Sequence, residues 1–188
     1  MGLTVVTPAG SLPVSRAEAK RHLGIADGET EFDTLVDELL AAAIATVEEY
    51  TGRLLGSQTW KLVLDDFSDA IELPRGPVSS VSWVKYFDTA GVEQTLAPSV
   101  YTVDLVSEPQ WVVLNSDESW PDLLDAVNVV SVQFVAGDMP PALALAVKML
   151  VAQWFQHRGA SNVGNITSEL PFHFRMLVDA YRTTWAVA

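Results

Sequence analysis

Hydrophobic and polar positions follow two rhythms along this chain, and the rhythm changes twice. From Phe32 the apolar residues fall at Phe32, Leu35, Val36, Leu39, Leu40, Ala43, Ile44 and Val47. That is the i, i+3, i+4, i+7 spacing of one helix face. Asp27, Glu29, Glu31 and Asp33 crowd its start, where the helix dipole favours anions, and Gly52 is placed to end it. A shorter helix is predicted before it, over residues 15–24. Ser15 is an N-cap, Glu18 completes a capping box, and Gly24 supplies the left-handed residue past the end. Pro13-Val14 reads as an extended lead-in.

The period then drops to two. Short β-branched or aromatic stretches at 58–64, 70–73, 78–87, 92–96, 101–105, 110–114 and 127–135 are separated by turn residues such as Arg75-Gly76-Pro77 and Asp88-Thr89-Ala90-Gly91. Trp60, Leu62 and Leu64 alternate with polar neighbours, as do Val130, Val132 and Phe134. Such alternation predicts antiparallel strands with one buried face. After Gly137 the helical period returns. Asp138 is a candidate cap, Pro140-Pro141 suit a first turn, and 142–157 is apolar nearly all round, which predicts a central helix. Residues 159–164 read as a small polar loop and 171–182 as a last short helix.

This order predicts an α+β fold: a small helical bundle formed by the N- and C-terminal helices, with an inserted antiparallel β module. The expected parts are 1–57 (N-terminal helical), 58–136 (the β module) and 137–188 (C-terminal helical, ending in a docking tail). Hydrophobic residues make up 49% of the 188, enough to bury a core. No 20-residue apolar run predicts a membrane span, and the first residues lack the basic, then apolar, pattern of a signal peptide. No membrane association is expected.

Charge narrows the function classes. The formal net charge is −13, which disfavours a protein that grips phosphates with Lys and Arg. It fits a solubilising surface, and it also fits a passage through which DNA slides without sticking. The second helix carries Asp37, Glu38, Glu48 and Glu49 opposite its apolar face, a candidate channel lining or outer acidic wall.

Candidate chemistry is sparse. With no cysteine there is no thiolate metal site, disulfide or cysteine nucleophile. His22, His157 and His173 have no metal-binding spacing, and no phosphate-binding glycine loop or serine-hydrolase elbow is present. Adjacent acids such as Asp65-Asp66 and Asp117-Glu118 do not by themselves define a general acid and base. No catalytic, cofactor or metal residue is expected. Six tryptophans remain. Those in the strands read as core, whereas Trp120 and Trp185 are candidates for subunit contacts. Two other classes stay open: a β-rich carbohydrate- or peptide-binding module using Trp60, Trp83 or Trp111, and an acidic-site hydrolase.

Ordered along the chain are stretches that resemble the head–tail connector (adaptor) proteins of tailed double-stranded DNA phages and gene transfer agents. The run from Pro13 through Val14-Ser15-Arg16-Ala17-Glu18-Ala19-Lys20 to Leu23 is similar to that family's opening. Val47-Glu48-Glu49-Tyr50-Thr51-Gly52-Arg53, followed by Gln58-Thr59-Trp60, resembles its next signature. Ile71-Glu72-Leu73-Pro74-Arg75-Gly76-Pro77, Tyr101-Thr102-Val103-Asp104, Trp154-Phe155-Gln156-His157-Arg158 and Glu169-Leu170-Pro171-Phe172 complete the set. The resemblance implies a non-enzymatic virion protein without cofactors, a dodecameric ring beneath the portal protein, with a stopper or tail-completion protein below. DNA would pass through without sequence-specific binding. Assembly in the host cytoplasm would precede residence in the particle neck. Under this reading the tail residues Phe172, Phe174, Tyr181 and Trp185 are the candidates for portal docking.

Overall fold

A computed structural model describes residues 1–157 and 172–183; at Phe172 and His173 the description covers the backbone alone. The fold is α+β, with antiparallel sheets and helices in two compact units. Residues 1–10 and 56–138 form a β unit, and 11–55 with the described residues from 139 onward form a helical unit. The first ten residues, grouped with the helices from the sequence, therefore belong with the strands.

The β unit contains β1 (Gly2–Thr7), β2 (Gln58–Leu64), β3 (Ala70–Leu73), β4 (Val78–Phe87), β5 (Glu93–Thr95), β6 (Tyr101–Asp104), β7 (Gln110–Leu114) and β8 (Val130–Ala136). They make a five-stranded sheet in the order β1-β2-β8-β4-β5 and a three-stranded sheet in the order β3-β7-β6. Every pairing is antiparallel. The alternation in β2 and β8 sets their register: Trp60 opposes Phe134, Leu62 opposes Val132 and Leu64 opposes Val130. Leu62, Val132 and Phe134 are fully buried.

β4 departs from strict alternation. Val81 opposes Phe134 and Val84 opposes Val132, with the register shifting between Val81 and Trp83. The bulge puts three β4 residues against two of β8, which lets Val84 reach the buried face, where it is 0% exposed. Trp83 is thereby set opposite Gln133, which in turn pairs with Lys61.

The helical unit contains α1 (Arg16–Leu23), α2 (Asp33–Thr51), α3 (Pro141–Gln156) and α4 (Phe172–Val178), the last followed by a 3-10 turn at Asp179–Tyr181. The α1 capping box forms as expected. The Ser15 hydroxyl accepts from the Glu18 amide, and the Glu18 carboxylate accepts from the Ser15 amide at 2.9 Å. Gly24 and Gly52 end α1 and α2 in the left-handed conformation. Asp138 does not cap α3. Pro140 occupies the N-cap position with no side-chain hydrogen bond there, and the proline geometry alone starts the helix.

The core of this unit joins Val36, Leu40, Ala43 and Val47 of α2 to Leu143, Val147 and Leu150 of α3 and to Phe174 and Val178 of α4. All are at most 1% exposed. Burying each of the larger side chains stabilises the fold by roughly 1.5–3 kcal/mol. Phe32 and Phe155 meet edge to face, with centroids 5.4 Å apart. Lys20, only 3% exposed, reaches from α1 to the start of α2. Its ammonium donates to the Glu29 carbonyl and, at 2.8 Å, to the Asp33 carboxylate. Among the described residues no helix is long and apolar enough to cross a membrane.

Candidate assembly surfaces

Three features of the sequence bear on what surfaces this chain presents: the aromatic tail, the acidic face of α2 and the tryptophans.

The tail is tied to the end of α2. Tyr50 lies in the last turn of α2 and donates its hydroxyl to Asp179 at 2.8 Å. Its ring packs edge-on against Phe174, with centroids 5.9 Å apart, and the Arg182 guanidinium lies 4.9 Å from its centroid. The Thr51 carbonyl accepts from the Thr183 amide and hydroxyl, at 2.9 and 3.1 Å. Arg53 donates to the Tyr181 carbonyl at 2.8 Å. Tyr50-Thr51-Gly52-Arg53 thus does more than end a helix. Gly52 turns the chain back, and the three residues around it hold the 179–183 segment. The acceptor at Asp179, with burial adding to it, pushes the Tyr50 phenol above its ordinary pKa.

Of the four tail aromatics, Phe174 is fully buried in the helical core and presents no surface to a partner. It anchors α4 instead. Tyr181 is half-buried beside that core. Trp185 and the Phe172 side chain lie outside the described residues, as do the loop expected at 159–164 and the Glu169-Leu170-Pro171 signature.

The acidic face of α2 is divided by its partners. Asp37 takes a bidentate contact from Arg16. Glu48 accepts from the Leu55 amide at 2.8 Å, bracing the chain just past the helix. Glu38 and Glu49 stay exposed. They stand eleven residues apart, about 16 Å along a helix, so they do not form one compact acidic cluster.

Three tryptophans of the β unit, Trp60, Trp83 and Trp120, are engaged within it. Trp120 stacks on Phe67 with centroids 4.4 Å apart and planes 3° from parallel, and its indole donates to the Ser68 carbonyl at 3.1 Å. Trp83 has the Lys85 and Lys61 ammoniums 5.0 and 5.9 Å from its ring, and the Arg75 guanidinium lies 5.6 Å from the Trp60 ring. At Trp60 and Trp83 the ring faces a sugar-binding module would leave open carry cations.

Catalytic geometry finds no support in the described residues. A hollow of 690 Å³ beside α1 and α2 holds Arg16, Lys20, Asp33 and Asp37. The Lys20 hydrogen bond leads the contributions that hold the Asp33 carboxyl below its ordinary range. Glu18, Asp88, Glu93 and Asp104 are lowered as well, each chiefly by hydrogen bonds. A hydrolase working through a carboxylate pair needs one carboxyl raised instead. His22 is exposed on α1 and His157 ends α3. No metal-binding group of three or more His, Asp or Glu residues occurs among the described residues.

No family model matches the sequence, and no curated protein matches it. Solved structures do. A chain in the neck of an empty gene transfer agent particle, computed with C6 symmetry, is 27% identical and superposes with a TM-score of 0.77 over 97% of this chain and 96% of its own. A chain of the virion of a native gene transfer agent particle, at the same identity and coverage, gives 0.76. One in the neck of the native particle, computed with C12 symmetry, gives 0.72. The class that fold and surfaces define is a structural component of a virion-like particle, not an enzyme. Within that class, the similarity is to chains of the particle neck, spanning nearly the full length of both chains.

Proposed function

We propose that this chain is a head–tail connector (adaptor) subunit. Copies form a ring, dodecameric as the resemblance implies, beneath the portal protein. A stopper or tail-completion protein binds below, and DNA passes through the centre without being read. The observation that carries this reading is the near full-length likeness to neck chains whose structures were computed with C6 and C12 symmetry. The ordered sequence signatures, from the α1 capping box to Tyr50-Thr51-Gly52-Arg53, support it independently. Assembly takes place in the host cytoplasm, before the ring joins a phage or gene transfer agent neck.

The C-terminal segment is the element that docks on the portal. Phe174 and Val178 root it in the core, the end of α2 holds 179–183, and Tyr181, Trp185 and Phe172 supply the contact. Glu38 and Glu49 belong to the channel lining or the outer wall. Light scattering of the chain alone and with portal protein tests the function: a ring-sized species or a portal complex is expected, and a strict monomer that ignores portal rejects it. Tyr181→Ala/Trp185→Ala, which spares the buried Phe174 and Val178, tests the docking element; the folded variant is expected to lose portal binding, and unchanged binding removes the tail from the role.

A further inference from the structure

The two units differ sharply in charge. The β unit has three Lys and Arg against thirteen Asp and Glu, a formal −10; the rest of the chain has eight against eleven, a formal −3. Within the β unit the acid is concentrated. The Phe67–Trp120 stack and the Trp120–Ser68 hydrogen bond clip the loop after β2 to the loop before β8. Asp69, Asp117, Glu118, Asp122 and Asp125 are exposed on these loops, and none makes a side-chain hydrogen bond or ion pair among the described residues. The acidic loops are held in place, not trailing. The amide of Leu124 donates to the Phe87 carbonyl at 3.0 Å.

The helical unit carries the opposite feature. Most of its described cations are committed: Arg16 to Asp33 and Asp37, Lys20 to Asp33, Arg53 to Tyr181, and Arg182 over Tyr50. Arg21, His22 and Lys148 are not, nor is the exposed Arg175 of α4. The first three line one open hollow of 350 Å³ between α1 and α3 together with Glu18, and they make no side-chain hydrogen bond or ion pair among the described residues. The Glu18 carboxylate is taken by Ser15.

We propose that this Arg21–His22–Lys148 patch receives the acidic loop at Asp117-Glu118 of a second copy of the chain. The inference rests on the ring reading above. A closed ring is built from heterologous contacts, in which one face of each copy meets a different face of the next. Copies that each carry −13 repel unless opposite charges are brought together at that contact. The patch and the pinned loops are two uncommitted charged surfaces of opposite sign, each on its own unit. Both offer groups that need no internal partner broken before they pair.

The test is self-association of the full chain, by sedimentation or mass photometry at low and high salt. Arg21→Glu/Lys148→Glu and Asp117→Lys/Glu118→Lys are each expected to lower the ring population about tenfold or more, since like charges then face each other. The combined four-residue swap is expected to restore it, because every pair is again opposite in sign. All four substituted positions are partly or fully exposed, and circular dichroism checks that each variant folds. Rings that form normally with Arg21→Glu/Lys148→Glu, or a swap that fails to restore them, overturn the inference and leave the ring reading standing. A patch variant that forms rings but retains less DNA also overturns it, assigning the patch to phosphates. A wild-type chain that stays monomeric alone and on portal rejects the ring reading and the inference together.

Discussion

The Tyr50 hydroxyl donates to the Asp179 carboxylate at 2.8 Å, across 129 positions of sequence. This bond, with the Phe174 ring beneath Tyr50 and Arg182 over it, makes the last turn of α2 the receptor for the chain's C-terminal segment. Tyr50→Phe keeps the ring contacts and removes the donor. The expected loss is about 0.5–1.5 kcal/mol, with faster amide exchange concentrated at 179–183. Unchanged exchange there, with a loss spread over the whole unit, speaks against the anchor. The raised Tyr50 phenol also sets a sign. Its contribution is fully present below the ordinary tyrosine range and is lost as pH rises through the folded value. The difference between wild type and Tyr50→Phe is therefore expected to narrow in strong alkali.

Phe174 provides a second check on the tail. Phe174→Ala is expected to destabilise the chain by about 3–5 kcal/mol through the cavity it leaves. Met176, 66% exposed two residues on, is expected to tolerate Ala with little change in melting temperature. Equal effects at the two positions count against the burial assigned to α4.

Acid stability follows from the capping box. The Glu18 carboxyl lies below its ordinary value, first because the Ser15 hydroxyl bonds it and then because the Ser15 amide does. A carboxyl lowered in the folded state stabilises above its unfolded pKa, and that contribution disappears as pH falls through the folded one. Ser15→Ala is expected to cost about 1 kcal/mol near neutral pH. The gap to wild type narrows as pH falls below the ordinary Glu range and through the lowered folded value, where Glu18 becomes protonated in both chains. Denaturant melts from pH 7 to pH 2 measure it, and a gap that widens in acid rejects the assignment.

Gly137 sits where the chain leaves the β unit, at a φ of 119°, and a Cβ there would lie 2.1 Å from the Gly56 carbonyl oxygen. Only glycine fits both the conformation and the approach. Gly137→Ala is expected to cost on the order of 1–3 kcal/mol or more. Gly28→Ala, with open space at its Cβ, is the neutral control in the same melting experiment.

Much of the local structure was legible in the sequence. The α1 capping box, the glycine ends of α1 and α2, the apolar face of α2 and the paired alternation of β2 and β8 all depend on neighbours within a few residues. Such signals act before any tertiary contact forms. β1 escaped because Thr4-Val5-Val6-Thr7 lacks alternation. It is an edge strand, fixed by pairing with β2 more than fifty residues on. Asp138 misled for a related reason: a cap residue in sequence is not a cap unless the backbone turns there.

The sequence by itself determined the order of helices and strands, the positions of most turns, the acidity of the chain and the absence of recognisable catalytic spacing. Tertiary structure decided the rest. Phe172, Phe174, Tyr181 and Trp185 read alike as tail aromatics, yet only folding committed Phe174 to the core. Asp37, Glu38, Glu48 and Glu49 read alike as one acidic face, yet Arg16 and the Leu55 amide claim Asp37 and Glu48. Whether a charge or a ring is free to meet a partner depends on neighbours distant in sequence, and those are set only when the elements pack.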